Sequence, residues 1–117
     1  TFGHIFEVEA EYSDKILHGE AVGIGMLMAA KMSQNLGVLN AQDFEKVKNH
    51  IIKAKLNFDL RKIKPHFDQN RLVLHLYKDK KTENKELTFI LLDKIGGGFI
   101  KKSVKLQDFL TTISDFI

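Results

Sequence analysis

The chain contains no cysteine, and it has a single proline among its 117 residues. The absence of cysteine excludes a disulfide framework and thiolate chemistry within this segment. It is also typical of a protein from a reducing compartment, so we expect a cytoplasmic location.

Long hydrophobic runs and a strong excess of one charge are also missing. The longest apolar stretch, within 16–30, covers about 15 residues with three glycines, short of the roughly 20 that span a bilayer. The net charge is only +3, from 18 basic and 15 acidic side chains. We therefore expect neither a membrane span nor a nucleic-acid partner.

The length allows one domain with one hydrophobic core. The chain opens at "TFGH" without a start methionine or a signal sequence, within what reads as a structural element. We therefore predict a single helical domain over 1–117 that is a fragment of a longer protein.

Apolar residues recur every three or four positions through most of the chain, which predicts a mainly α-helical fold. The segment 20–37 is apolar on nearly every side and is expected to be a buried helix that stops at Gly37. The predicted helices are a short one within 1–12, then 20–37, 41–55, one that Asp68 caps and that runs to about Lys78, and 106–117.

The segment 41–55 is predicted to be an amphipathic surface helix. Asn40 is expected to cap it. Its predicted inward residues are Phe44, Val47, Ile51 and Ala54.

One small β-hairpin is predicted after the charged loop 79–86. "LTFILL" reads as its first strand and "SVK" as the end of its second, with the glycines of "IGGGFI" supplying positive φ in the turn. The glycine run lacks the spacing and the following helix of a phosphate-binding loop.

Two histidines flank the turn at 13–15 and could face one cleft. Imidazole is the commonest metal ligand near neutral pH, so His4 and His18 are candidate ligands, and Glu20 could orient a ligand histidine. A histidine at a helix start is also often a cap or a surface residue, and a zinc site needs a third ligand.

The run "YKDKK" places Lys80 and Lys81 after the end of a predicted helix. Lysine is a movable point charge that suits phosphate binding. A solvated loop with lysines near a helix C-terminus explains the same pattern.

Four motifs in order resemble the C-terminal half of the 3-dehydroquinate synthase family, within the sugar-phosphate cyclases. They are "TFGHIFE", "LHGEAVGIGMLMAA", "HLYKDKK" and "LTFILLDKIG". The resemblance implies an enzyme of the shikimate pathway that converts 3-deoxy-arabino-heptulosonate 7-phosphate to 3-dehydroquinate and phosphate. The resemblance implies that this enzyme is a phosphate-eliminating carbon–oxygen lyase that uses NAD and a divalent metal, either zinc or cobalt. It also implies that the full-length enzyme is a homodimer.

The resemblance assigns roles residue by residue. His18 matches a metal-binding histidine, and Glu20 matches the glutamate beside it, which can support that ligand. His4 matches a histidine that approaches the substrate phosphate and assists proton transfer. Lys80 and Lys81 match a lysine pair of which at least one contacts phosphate.

The chain departs from the family pattern in ways that bear on activity. A further metal-binding histidine would stand just before Thr1, and the metal-binding glutamate and the NAD contacts belong to an N-terminal NAD-binding domain outside the chain. The loop between His4 and His18 is one residue longer than usual. We therefore expect the segment alone to bind no cofactor tightly, to be inactive, and to self-associate through an exposed apolar surface.

Three alternatives remain. Another sugar-phosphate cyclase, such as 2-deoxy-scyllo-inosose synthase, has the same scaffold. A metal-dependent polyol dehydrogenase is disfavoured, because a substrate without phosphate has no use for the lysine pair. A stand-alone helical interaction module is the alternative from a different functional class.

Overall fold

The computed structural model describes residues 2, 5, 6, 18–54, 68–79 and 87–116, with side chains omitted at 18–20, 78 and 79. The elements are helices α1 (His18–Asn35), α2 (Ala41–Lys53), α3 (Gln69–Asp79) and α4 (Leu106–Ser114), and strands β1 (Phe89–Lys94) and β2 (Gly97–Lys101). The two strands pair in antiparallel fashion. The prediction of a mainly helical fold with one small hairpin is confirmed. Across these described ranges, no helix is long and apolar enough to cross a membrane.

Helix α1 lies at the centre of the fold and packs against α2, β1 and α4. One core cluster joins its inner side to the hairpin and to α3 and α4. Three stacked or tilted phenylalanine rings form part of this cluster, with centroid separations of 5.1 Å for Phe2–Phe89, 5.7 Å for Phe2–Phe109 and 6.2 Å for Phe89–Phe109. A second, smaller cluster lies between α1 and α2 and contains Leu27, Ala30, Leu39, Phe44 and Ile51.

Helix α1 begins two residues before its predicted start and ends at Asn35, two residues before its predicted bound, with Gly37 just beyond the helix end. The apolar pattern reveals only the turns that pack, so the polar first turn at His18 was missed. At the other end Gly37 has φ +79°. Its N–H donates to Gln34 O (2.9 Å), and Val38 N–H donates to Ser33 O (3.0 Å). These bonds satisfy carbonyls that the helix end would otherwise leave unpaired.

The predicted caps of α2 and α3 are confirmed. Asn40 Oδ1 accepts a hydrogen bond from Asp43 N–H (2.7 Å), and Asp68 Oδ1 accepts one from Asn70 N–H (2.9 Å). Ala54 is exposed, and its predicted inward position is wrong, because α2 ends at Lys53 and the periodicity does not continue.

The hairpin turn has two residues, Ile95 and Gly96, and only Gly96 among the three glycines has positive φ. Gly97 and Gly98 belong to β2, where a Cβ at Gly97 would overlap the side chain of Asp93. The prediction that all three glycines serve the turn is therefore wrong for the last two.

The predicted strand end at "SVK" is also wrong. Strand β2 stops at Lys101, and Ser103 turns the chain with φ +56°. Val104 is nevertheless held near the sheet, because its N–H donates to Leu87 O at 2.9 Å.

Ser33 ties α1 to the hairpin. The sequence places it where α1 turns polar, yet its side chain is fully buried. Its Oγ donates to Ala29 O (2.7 Å) and accepts from Leu92 N–H (3.0 Å). The hydroxyl therefore supplies a hydrogen-bond partner on α1 for a β1 amide.

We predict that Ser33→Ala lowers the free energy of unfolding by about 1–2 kcal/mol. Loss of the hydroxyl leaves the Leu92 N–H without this partner, and the better helix propensity of alanine offsets part of the cost. Urea unfolding of the full-length protein measures the change. Ser114→Ala is the control, because the Ser114 hydroxyl is exposed and bonds only to Thr111 O nearby. Equal effects of the two substitutions would contradict the role of Ser33.

Candidate active site

The predicted metal ligand His18 and its neighbour Glu20 lie in the first turn of α1. The structure describes their backbone, so the side-chain roles of both residues stay predictions. The two residues stand two positions apart, and that spacing does not make residues neighbours on a helix surface. The helical register therefore disfavours direct contact between Glu20 and His18.

The helix behind this first turn is firmly packed. Ala21, Ile24, Leu27 and Met28 are all buried, and they bind α1 to both core clusters. Gly23 is buried as well. A ligand in the first turn is therefore carried by a rigid support, which a metal site requires.

One side of α1 is not buried. Val22 is 42% exposed and Met26 is 48% exposed, so the prediction that nearly all of this helix is buried is wrong for these two residues. They stand one turn apart, and His18 stands one turn before Val22. Positions four apart are neighbours on a helix surface, so the three residues occupy one continuous strip of α1.

His4, Lys80 and Lys81 lie outside the described residues, and their roles stay predictions. The chain beside them is described. Ile5 follows His4, and Leu76 of α3 stands four residues before Lys80 in the sequence. Both are fully buried in the core cluster that also contains Ala21 of α1. One core thus holds the three chain segments that carry the predicted site residues.

The described residues do not form a complete metal site. Among them no group of three histidine, aspartate or glutamate side chains is arranged to hold a metal ion. His18 could supply one donor, whereas a protein zinc site uses at least three. Any metal held at His18 needs further ligands beyond the side chains that the structure describes.

A surface cavity of about 310 Å³ lies elsewhere on α1 and was not predicted from the sequence. Its lining residues are Leu27, Lys31, Phe44, Lys48, Asp115 and Phe116. The Lys31 Nζ lies 5.1 Å from the centroid of the Phe44 ring. Lys31 is thirteen residues beyond His18, about 20 Å along the helix, so this cavity is separate from the predicted site.

Comparisons with known proteins agree with the motifs. A family model described as 3-dehydroquinate synthase C-terminal matches residues 1–82. The 3-dehydroquinate synthase of Bradyrhizobium diazoefficiens is 38% identical, over 94% of this chain and 31% of its own length. That of Campylobacter concisus is 38% identical, over 99% of this chain and 32% of its own length. The chain therefore spans about a third of these relatives.

A solved structure supports the fold assignment. It is described as 2-deoxy-scyllo-inosose synthase complexed with carbaglucose-6-phosphate, NAD+ and Co2+. The structural match covers 99% of this chain and 33% of the solved chain, with a TM-score of 0.72 and 21% sequence identity. Similarity at this level establishes a common fold. With the family model matching most of its length, the chain belongs to the 3-dehydroquinate synthase C-terminal family.

Proposed function

We propose that this chain is the C-terminal part of a 3-dehydroquinate synthase. The full-length enzyme converts 3-deoxy-arabino-heptulosonate 7-phosphate to 3-dehydroquinate with release of phosphate, in aromatic amino acid biosynthesis. The observation that carries the proposal is the single core to which the segments bearing His4, His18 and Lys80 are all anchored. The relatives that bear the same name at 38% identity support the substrate assignment.

Each predicted residue has a task in this reaction. His18 is one ligand of a divalent metal, and Glu20, two positions later in the first turn of α1, supports that site without direct contact with His18. At least one of Lys80 and Lys81 binds the phosphate group of the substrate as a point charge. His4 lies near that phosphate and moves a proton during its elimination.

The cofactors are held mainly by the part of the protein that precedes this segment. When bound, NAD would supply hydride transfer and a zinc or cobalt ion would supply polarisation of a substrate oxygen. The solved cyclase that shares the fold is described with NAD+ and Co2+, which supports this pairing. The proposal includes a homodimer in the cytoplasm, a separate upstream NAD-binding domain, and no turnover by residues 1–117 alone.

A comparison of two substrates tests the assignment of the reaction. The full-length enzyme, supplied with NAD and metal, is expected to release phosphate from 3-deoxy-arabino-heptulosonate 7-phosphate and not from glucose 6-phosphate. The carbocyclic analogue of the second sugar is the ligand in the solved cyclase. Release from glucose 6-phosphate alone would reassign the chain to that cyclase. Release from neither sugar would favour the interaction module.

The lysine pair gives a prediction of its own. Of the substitutions Lys80→Ala and Lys81→Ala, we expect the one with the larger effect to lower kcat/KM by about 10- to 100-fold. This range corresponds to the loss of one hydrogen bond to a charged group. Steady-state phosphate release by the full-length enzyme measures the change. Lys85→Ala is the control, because Lys85 lies in the same charged segment and outside the motif. If neither Lys80→Ala nor Lys81→Ala differs from that control, the phosphate role is wrong.

A further inference from the structure

The surface cavity beside α1 and α2 has no part in the proposed reaction. It measures about 310 Å³, at the small end of the range for small-molecule sites, which is roughly 300–1,000 Å³. Three apolar and three charged side chains line it: Leu27, Lys31, Phe44, Lys48, Asp115 and Phe116. An apolar wall with a few charged groups is the usual form of a site for a small organic ligand.

The apolar wall consists of Leu27, Phe44 and Phe116. Leu27 and Phe44 belong to the small core cluster between α1 and α2, and they are 1% and 7% exposed. Phe116 is half-buried and packs against the same cluster. The core therefore fixes this wall in place, and the wall presents aromatic surface to an apolar group of a ligand.

Two half-buried lysines supply the positive charge of the cavity. The Nζ of Lys31 lies 5.1 Å from the centroid of the Phe44 ring, and this cation–π contact holds the ammonium group at the apolar wall. Its hydrogen bond to Gln34 Oε1 is long, at 3.5 Å, and an ammonium group has three donors, so donors remain for a ligand. Lys48 stands one turn after Phe44 on α2 and forms no ion pair within the described ranges.

Asp115 supplies the one negative charge among the described lining residues. Its Oδ2 accepts a hydrogen bond from Asn35 Nδ2 (3.2 Å), which ties the carboxylate to the end of α1 at the exposed side of the cavity. Two lysines against one aspartate leave an excess of one positive charge. The charge of the lining therefore favours a ligand with a single negative charge.

We infer that this cavity binds a small monocarboxylate that carries an aromatic ring. Lys31 and Lys48 hold the carboxylate, and the ring packs against the apolar wall. A neutral ligand would cover the ammonium groups without pairing them, and a phosphate dianion has no apolar part for the wall. The cavity lies about 20 Å along α1 from His18, so the inference does not depend on the proposed reaction.

Titration of the full-length protein with 3-phenylpropionate, followed by the NMR signals of the ligand, tests this inference. We expect saturable binding that is at least about tenfold tighter than binding of the neutral analogue 3-phenylpropanamide, or of acetate, which lacks the ring. The double substitution Lys31→Gln with Lys48→Gln should weaken binding at least about tenfold, because both charged donors are lost. Lys46→Gln is the control, because Lys46 is a lysine of α2 outside the described lining.

Asp115→Asn changes the charge in the opposite direction. It removes the negative charge of the lining, and the asparagine oxygen can still accept from Asn35, so binding of 3-phenylpropionate should become about two- to fivefold tighter.

Four results would each overturn the inference: no saturable binding, equal affinity for the acid and its amide, unchanged binding by the double lysine variant, or weaker binding by Asp115→Asn. The titration requires no turnover, so its outcome and that of the phosphate-release assay are independent.

Discussion

Replacing His18 with alanine in the full-length enzyme is expected to lower phosphate release by more than about 100-fold and to remove the bound metal. Changes to residues that merely support a metal ligand cost about 10- to 100-fold, so loss of a ligand should cost more. Metal content of the purified protein and the initial rate of phosphate release give the two readouts.

The structure explains why this effect should be local. The backbone of His18 continues into Ala21 and Ile24, which are buried and fix the helix whatever side chain stands at position 18. Alanine is also the best helix former, so the first turn of α1 should persist. The thermal unfolding temperature of the metal-free variant should therefore match that of the metal-free wild type.

His50→Ala is the matched control for this experiment. His50 is exposed in the last turn of α2 and belongs to none of the motifs. We expect this variant to keep its metal and its activity. A His18→Ala enzyme that retained both would show that the histidine is only a surface residue at a helix start.

Phe109→Ala is the substitution expected to have the largest effect on stability. The ring of Phe109 is fully buried and lies in contact distance of the rings of Phe2 and Phe89. Truncation of a buried phenylalanine typically costs about 3–5 kcal/mol, a large part of the stability of an ordinary domain. Because Phe109 joins α4 to both the hairpin and the N-terminal segment, its loss loosens several elements at once.

Urea unfolding and soluble yield measure this effect in the full-length protein. Phe116→Ala is the control, because it removes the same ring from a half-buried position next to the surface cavity. We expect the midpoint of unfolding to fall much further for Phe109→Ala than for the control. Similar midpoints would contradict the central role assigned to the three rings.

The parts of the fold that depend on local rules could be predicted from the sequence. Asn40 and Asp68 cap helices because their short side chains satisfy amides of the following turn, and Gly37 ends α1 because it adopts positive φ without strain. These interactions involve residues within a few positions of each other, so the sequence pattern contains them in full.

The parts that depend on distant contacts could not be predicted in this way. Ser33 appears as the polar end of a helix, and its burial depends on β1, 59 positions away. Val22 and Met26 appear as core residues, and their exposure shows only when every neighbouring element is in place. The surface cavity likewise combines residues of α1 and α2 with two that follow α4, and no local pattern connects them.

For the candidate site, too, some features could be predicted from the sequence and others required the structure. Residue type and placement made His4, His18, Glu20, Lys80 and Lys81 candidates, and the resemblance supplied their roles, which no spacing rule could give. The structure adds the single core that anchors their neighbours, and it shows α1 as a rigid support with one uncovered strip. Because the structure shows that residues 18–20 are helical, it also shows that His18 and Glu20 are not neighbours on the helix surface. Their two-residue spacing in the sequence does not establish this by itself.

The most direct test of the central claim is phosphate release by the full-length enzyme from 3-deoxy-arabino-heptulosonate 7-phosphate, with NAD and divalent metal each supplied or withheld. We predict rapid release when both are present and almost none when either is missing. Absence of release with both supplied, or release that does not depend on NAD, would contradict the assignment of this chain to a 3-dehydroquinate synthase.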